Sequence, residues 1–221
     1  MTAGVLVSAG VLGVIVLVAA LFFQRASGAF SARGILRVYL YVGSLAGILA
    51  LAVGLGSLLD YGIARVAGDD FVYGTPPVPV AVSCPPGAQN CEPGPADVIL
   101  RQQERQNEQR RNEDLIRGLT FAVFGAVFWG AHVVARRALH EEEAAGGPLR
   151  RGYLMLGTAV FGLATVILVP TGVYQALSNA VLEAPPDTFR PGADALGGGI
   201  TALVIWLIYL RLAVGDLRSG A

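Results

Sequence analysis

Apolar residues in this chain come in long unbroken runs, without the period-two alternation of a half-buried strand. Five runs are long enough to cross ~30 Å of hydrocarbon as helices: residues 5–23, 35–59, 119–135, 153–177 and 195–212. Helix is the structure such runs must take, because each has to satisfy its own backbone hydrogen bonds away from water. The first run has no basic residue before it and exceeds the apolar core of a secretion signal, so it reads as a retained transmembrane helix rather than a leader. The pattern predicts an all-α integral membrane bundle of five transmembrane helices. Pro170 inside the fourth run is expected to kink that helix or end its regular part.

Between the second and third runs lies a long segment of two characters. Residues 62–96 include a Pro- and Gly-rich loop, TPPVPVAVSCPPGAQNCEPGP, which cannot form a long helix. Residues 97–117 then read as helix: Asp97 follows Pro95 as an N-cap, and no Gly or Pro interrupts Val98 to Arg117, so the helix is expected to run straight into the third span. Its middle, Arg101 to Asp114, is polar all round. Such a helix is either solvated or held against a partner, and the expectation is a solvated extension, with docking to another subunit as the alternative.

Charge orients this arrangement. Arg25, Arg33 and Arg37 follow the first run; Arg136, Arg137, Arg150 and Arg151 follow the third; Arg211 and Arg218 lie near the C-terminus. Short Arg-rich loops belong on the cytoplasmic side, which gives an N-out, C-in topology in a bacterial inner membrane, with residues 62–118 extracytoplasmic. Cys84 and Cys91, the only cysteines, then face an oxidising compartment. A disulfide between them is expected, with two free thiols as the alternative.

Hydrophobic residues make up 54% of the chain and charged residues only 14%, against roughly a quarter charged in soluble domains. All 16 basic residues are Arg and formal net charge is zero, so neither nucleic acid nor an acidic partner is implied.

The chain also echoes itself. A shift of 114 positions carries Arg37 onto Arg151, Tyr39 onto Tyr153, Gly43 onto Gly157 and Ser44 onto Thr158. The returning helices match too: His132 stands three residues after Trp129, and Tyr209 three after Trp206. The organisation is therefore an N-terminal helix and loop (1–34), a first two-helix unit (35–135), a cytoplasmic loop (136–152) and a second unit (153–221), a parallel repeat of a kind met in transporters and in duplicated packing units. The Tyr39-Leu40-Tyr41 helix start after Arg37, and the Trp129-x-x-His132 helix end before an Arg-rich loop, resemble the bacterial membrane-domain family of unknown function number 5671. That resemblance implies a fold and a membrane location and no activity. Gly130, Ala131, Val133 and Tyr209 depart from its pattern.

Trp129, His132, Trp206, Tyr209, Tyr39 and Tyr153 are placed at the membrane boundary, where amphipathic rings anchor helices. For His132 a packed hydrogen bond near Tyr39 or Tyr153 is the alternative; haem or metal ligation is disfavoured because the only other histidine, His140, lies in a loop. Asp60 reads as a boundary carboxylate at the outer end of the second run. Hydroxyls within the runs are expected to bond the preceding turn or a neighbouring helix, and Gly43, Gly47, Gly54 and Gly197–Gly199 to allow close helix approach. No Walker loop, nucleophile–base pair or metal box is present. The expectation is thus a non-enzymatic, cofactor-free protein embedded in lipid, a structural or accessory subunit that meets other membrane subunits or copies of itself. A channel or transporter built from the repeat is the alternative.

Overall fold

The computed structural model describes residues 32–73, 96–138, 148–181 and 193–219. The first predicted span, with Arg25, and the Cys84–Cys91 pair lie outside the described residues. The described residues form five helices: α1 (Ala32–Ala67), α2 (Asp69–Tyr73), α3 (Ala96–Ala138), α4 (Pro148–Val181) and α5 (Ala193–Ser219). Four of them, all but α2, are long and apolar enough to cross a membrane, and together they fit a membrane protein.

Each long helix outruns the apolar stretch that announces it, because helix continues into polar flanks where hydropathy loses it. α3 is one uninterrupted helix of 43 residues joining the polar segment to the third apolar run. α4 passes through Pro170 and continues to Val181, so this proline does not end it. The lost N–H is tolerated inside an apolar helix, and the adjacent Thr171 hydroxyl donates to the Ile167 carbonyl at 2.6 Å. Thr158 and Thr165 likewise donate to the carbonyls of Leu154 and Phe161 one turn back, at 2.8 and 2.7 Å.

The helices form two antiparallel pairs, α1 with α3 and α4 with α5, and the pairs meet chiefly through α1 and α5. In the first pair the ladder of contacts is Gly43–His132, Gly47–Trp129, Leu51–Gly125, Gly54–Ala122 and Leu58–Gly118. A Cβ on Gly47 would stand 2.7 Å from the Trp129 amide nitrogen; one on Gly54 or Gly125 would run into the backbone of Ala122 or Leu51. Between apolar helices in lipid, association comes from such close backbone packing rather than from hydrophobic burial. The second pair uses Gly157 under the Tyr209 ring, Gly162 under Trp206, Gly199 against Val169 and Gly172 against Leu196.

The central core holds Leu45 and Ile48 from α1, Leu154 and Phe161 from α4, and Ala202, Ile205 and Tyr209 from α5. Large apolar side chains elsewhere, such as Phe121, Phe124 and Val127 on α3 and Leu163, Val166 and Ile167 on α4, point outward, as helices facing lipid require.

At the far end of α1 the chain turns back. Gly68 has φ +98°, the left-handed conformation that ends helices, and its N–H donates to the Ala64 carbonyl at 3.0 Å. The short α2 then folds over the end of α1, burying Val72 and Tyr73 against Ala64, and meets the polar half of α3. Arg111 pairs with Asp69 at 2.6 Å. Tyr73 donates its hydroxyl to Asp114 at 2.8 Å. Arg117 pairs with Asp114 and reaches Ser57 on α1 at 3.3 Å. Asn107 and Asp114 are buried. The expected solvated extension is therefore docked on one side by the chain's own α1 and α2, with only its other faces in the open.

Candidate functional site between the two helix pairs

The end of the bundle opposite α2 gathers most of the residues that the sequence singles out. His132 is buried, with its imidazole over Gly43. Its Nδ1 lies 2.8 Å from the Phe128 carbonyl, a geometry that places the proton on Nδ1. Its ring meets Tyr39 at 5.6 Å between centroids and 53° between planes. In the other pair Tyr209 lies over Gly157 and meets Tyr153 at 5.6 Å and 52°. The glycine, the aromatic one turn before it and the ring that fills the gap thus recur in the same geometry in both pairs. Imidazole and phenol do the same packing work.

They differ in what the second ring adds. Tyr153 and Tyr209 join hydroxyls at 2.5 Å, and Ser44 of α1 lies 3.2 Å from the Tyr153 hydroxyl. A phenol hydroxyl offers one donor and further acceptor capacity, so Tyr153 ties α1, α4 and α5 together. Each such bond contributes about 1 kcal/mol. Tyr39, the counterpart of Tyr153, stays largely exposed at 57%, and no equivalent hydroxyl chain forms around it.

Arg136, one turn beyond His132, closes the arrangement. Its guanidinium carbon stands 4.7 Å from the centre of the Tyr41 ring and 4.9 Å from that of Tyr153, while the two rings are 5.3 Å apart. A guanidinium over aromatic faces is held by their quadrupoles for about 0.5–2 kcal/mol. Here the cation comes from α3 and the rings from α1 and α4, so one side chain spans both helix pairs. Close by, Arg150 and Arg151 at the start of α4 share the buried Asp216 of α5, at 3.4 and 3.3 Å.

The sequence places six rings at the membrane boundary, and the structure turns most of them inward. His132 and Tyr209 are buried between helices and Tyr153 is half-buried. Trp129 and Trp206 pack against the central core. Tyr39 alone of the six presents most of its surface. A ring beside a glycine gap fills it, which accounts for the inward orientation. Asp60 is likewise not solvated: it is buried, with its carboxylate against Gly197 at the start of α5. Sequence reasoning counted Arg136 only among orienting charges, took Tyr41 only as part of the helix-start motif and gave it no role at the site, and passed over Asp216. Only Arg136 carried a signal, standing four residues after His132 on the same helix face. Arg33 lies in the first turn of α1, Arg37 is half-buried in its second turn, and Arg137 is exposed near the end of α3. Among the described residues no three His, Cys, Asp or Glu side chains converge as a metal site.

The chain matches the family model described as a domain of unknown function, DUF5671, over residues 96–208. The matched stretch opens on the first residue of α3 and includes Trp129, His132, Arg136, Tyr153 and Trp206, while α1 lies outside it. No curated protein and no solved structure matches the chain. A match across half the length, carrying the Trp129-to-Tyr153 junction, decides the assignment: the chain belongs to the DUF5671 family.

Proposed function

We propose that the protein is a structural or accessory subunit of a membrane assembly, or a homo-oligomer, in a bacterial inner membrane. Its N-terminus lies outside, its C-terminus inside, and the α2 end of the bundle is extracytoplasmic. The arginines at the opposite end support this orientation.

The observation that carries the reading is the clamp on the polar half of α3. Arg111, Asp114 and Arg117 fix that segment to α1 and α2, while Arg101, Glu104, Arg105, Glu108 and Glu113 remain exposed. A charged face is thereby held at a set orientation beside the membrane, which is what a docking element requires. Purification in mild detergent with mass measurement tests this. A co-purifying partner or a stable oligomer is expected, and a strictly monomeric, partner-free protein overturns it.

A channel or transporter is the second reading, favoured by the Ser44–Tyr153–Tyr209 hydroxyl chain where the helix pairs meet. Flux through reconstituted vesicles is its test, and vesicles that pass neither ions nor small solutes exclude it.

A further inference from the structure

We infer that Arg136, on its platform of Tyr41 and Tyr153, forms a binding site for the phosphate of an anionic phospholipid headgroup. This rests on the membrane placement proposed above but not on any partner protein.

Three observations point the same way. The guanidinium is oriented by two rings, which occupy its face and leave its N–H edge as the part able to bond. Among the described residues no carboxylate pairs with Arg136; its Nε is buried, so its Nη groups are the edge that a phosphate would meet. Stacking of this kind fixes the plane of a fork that matches phosphate oxygens in pairs. Next, among the described residues at this end positive charge is in excess: Arg150 and Arg151 share one carboxylate, Asp216, and Arg137 is exposed at the end of α3. Finally, the site lies at the end of four helices long and apolar enough to cross a membrane, the level at which headgroup phosphates sit. Basic pockets between helix ends are where anionic headgroups bind.

The choice of a lipid over a free anion follows from the neighbourhood. Exposed side chains at the same end of the bundle, Leu36 and Tyr39 on α1 and Met155 on α4, offer an acyl chain apolar surface close to the headgroup level. A small phosphate ion would use the platform alone.

The test is a titration of the full-length protein in neutral detergent micelles with phosphatidylglycerol, phosphatidylcholine or sodium phosphate, followed by thermal unfolding. Phosphatidylglycerol is expected to raise the unfolding temperature saturably, and the other two to leave it unchanged at equal concentration. Arg136→Lys keeps the charge but loses the planar fork, and is expected to shift the half-saturating lipid concentration upward about fivefold. Arg211→Gln, a change in an exposed arginine near the same end, is expected to leave it unchanged. Arg136→Gln is expected to abolish the saturable response, and should it fail to fold, Arg136→Lys still decides the question. Equal stabilisation by phosphatidylcholine, or by phosphate alone, overturns the headgroup site. So does an Arg136→Lys protein that responds like the parent, or an Arg211→Gln protein that loses as much as Arg136→Lys.

Discussion

The two halves of α3 grip the rest of the molecule by opposite means. From Gly118 to His132 the helix presents Gly118, Ala122, Gly125, Trp129 and His132 to α1, and the backbones nearly touch. From Asn107 to Arg117 it presents Asn107, Arg111 and Asp114, and the contacts are ion pairs and hydrogen bonds to α1 and α2. The inward face is nonetheless one seam, with steps of three and four residues running unbroken from Asn107 to Arg136. Helical periodicity chooses which positions face inward, and the surroundings choose their chemistry. Where lipid surrounds the pair, hydrophobic side chains gain little by meeting one another, and close approach of backbones provides the attraction. Where water surrounds it, buried polar groups must find partners, and Asp114 finds Tyr73 and Arg117.

The contrast can be broken at either half. Gly54→Ala, or Gly125→Ala, drives a methyl group into opposing backbone, which no rotamer change relieves. A loss of about 3 kcal/mol is expected in reversible unfolding, with α1 and α3 separating. Loss of the Asp114 carboxylate comes next. Asp114→Ala strands the Tyr73 hydroxyl and Arg117, and a cost of about 2 kcal/mol is expected. Hydrogen exchange should accelerate in residues 100–117 while 118–138 stays protected; equal acceleration in both would show that the two grips are one.

Alkaline pH probes the polar half more gently. Burial pushes the Tyr73 hydroxyl well above the ordinary tyrosine range, and donation to Asp114 adds to the shift. Its folded value thus exceeds its unfolded one, so the associated stability is present below about pH 10 and is lost as pH rises beyond it. Opening of the α2 contact is expected above that pH in the parent protein, read as protease access near residue 73. Tyr73→Phe should lose the pH dependence, and a dependence that survives would assign it to another group.

Two substitutions sharpen the apolar half. The matching geometry of Tyr39–His132 and Tyr153–Tyr209 implies that His132→Tyr fits over Gly43 as Tyr209 fits over Gly157. A change under about 1 kcal/mol is expected, with the protein folded and inserted; failure to insert would show that imidazole is required. Gly130 is the control within the same helix. A Cβ there meets nothing within 4 Å, so Gly130→Ala should stabilise by about 0.5 kcal/mol through lower unfolded-chain entropy. Destabilisation would reveal a contact at that face.

Much of this architecture can be read from the chain alone. Apolar length announces the four long helices, and the absence of Gly and Pro between Val98 and Arg117 announces the continuity of α3. The 114-residue echo marks Gly43 and Gly157 as equivalent positions, but not the rings that fill them, which the sequence reading placed at the membrane boundary. The docking of the polar half is harder to see, because Arg101 to Asp114 shows no apolar stripe to mark a buried face. Carrying the Gly118–His132 spacing backward would have picked out Asn107, Arg111 and Asp114. α2 is too short, at five residues, to stand out beside a Pro-rich loop. The platform of Tyr41, Tyr153 and Arg136 joins three helices far apart in sequence, and no local pattern records such a meeting.

Mechanically, the unbroken α3 is a lever. Its 43 residues extend about 64 Å at 1.5 Å per residue, with the charged face at one end and Arg136 near the other. A helix without a hinge transmits tilt and rotation along its whole length. A pull on the exposed charges would therefore be felt at the arginine and its two tyrosine rings, and from there across to the second pair of helices.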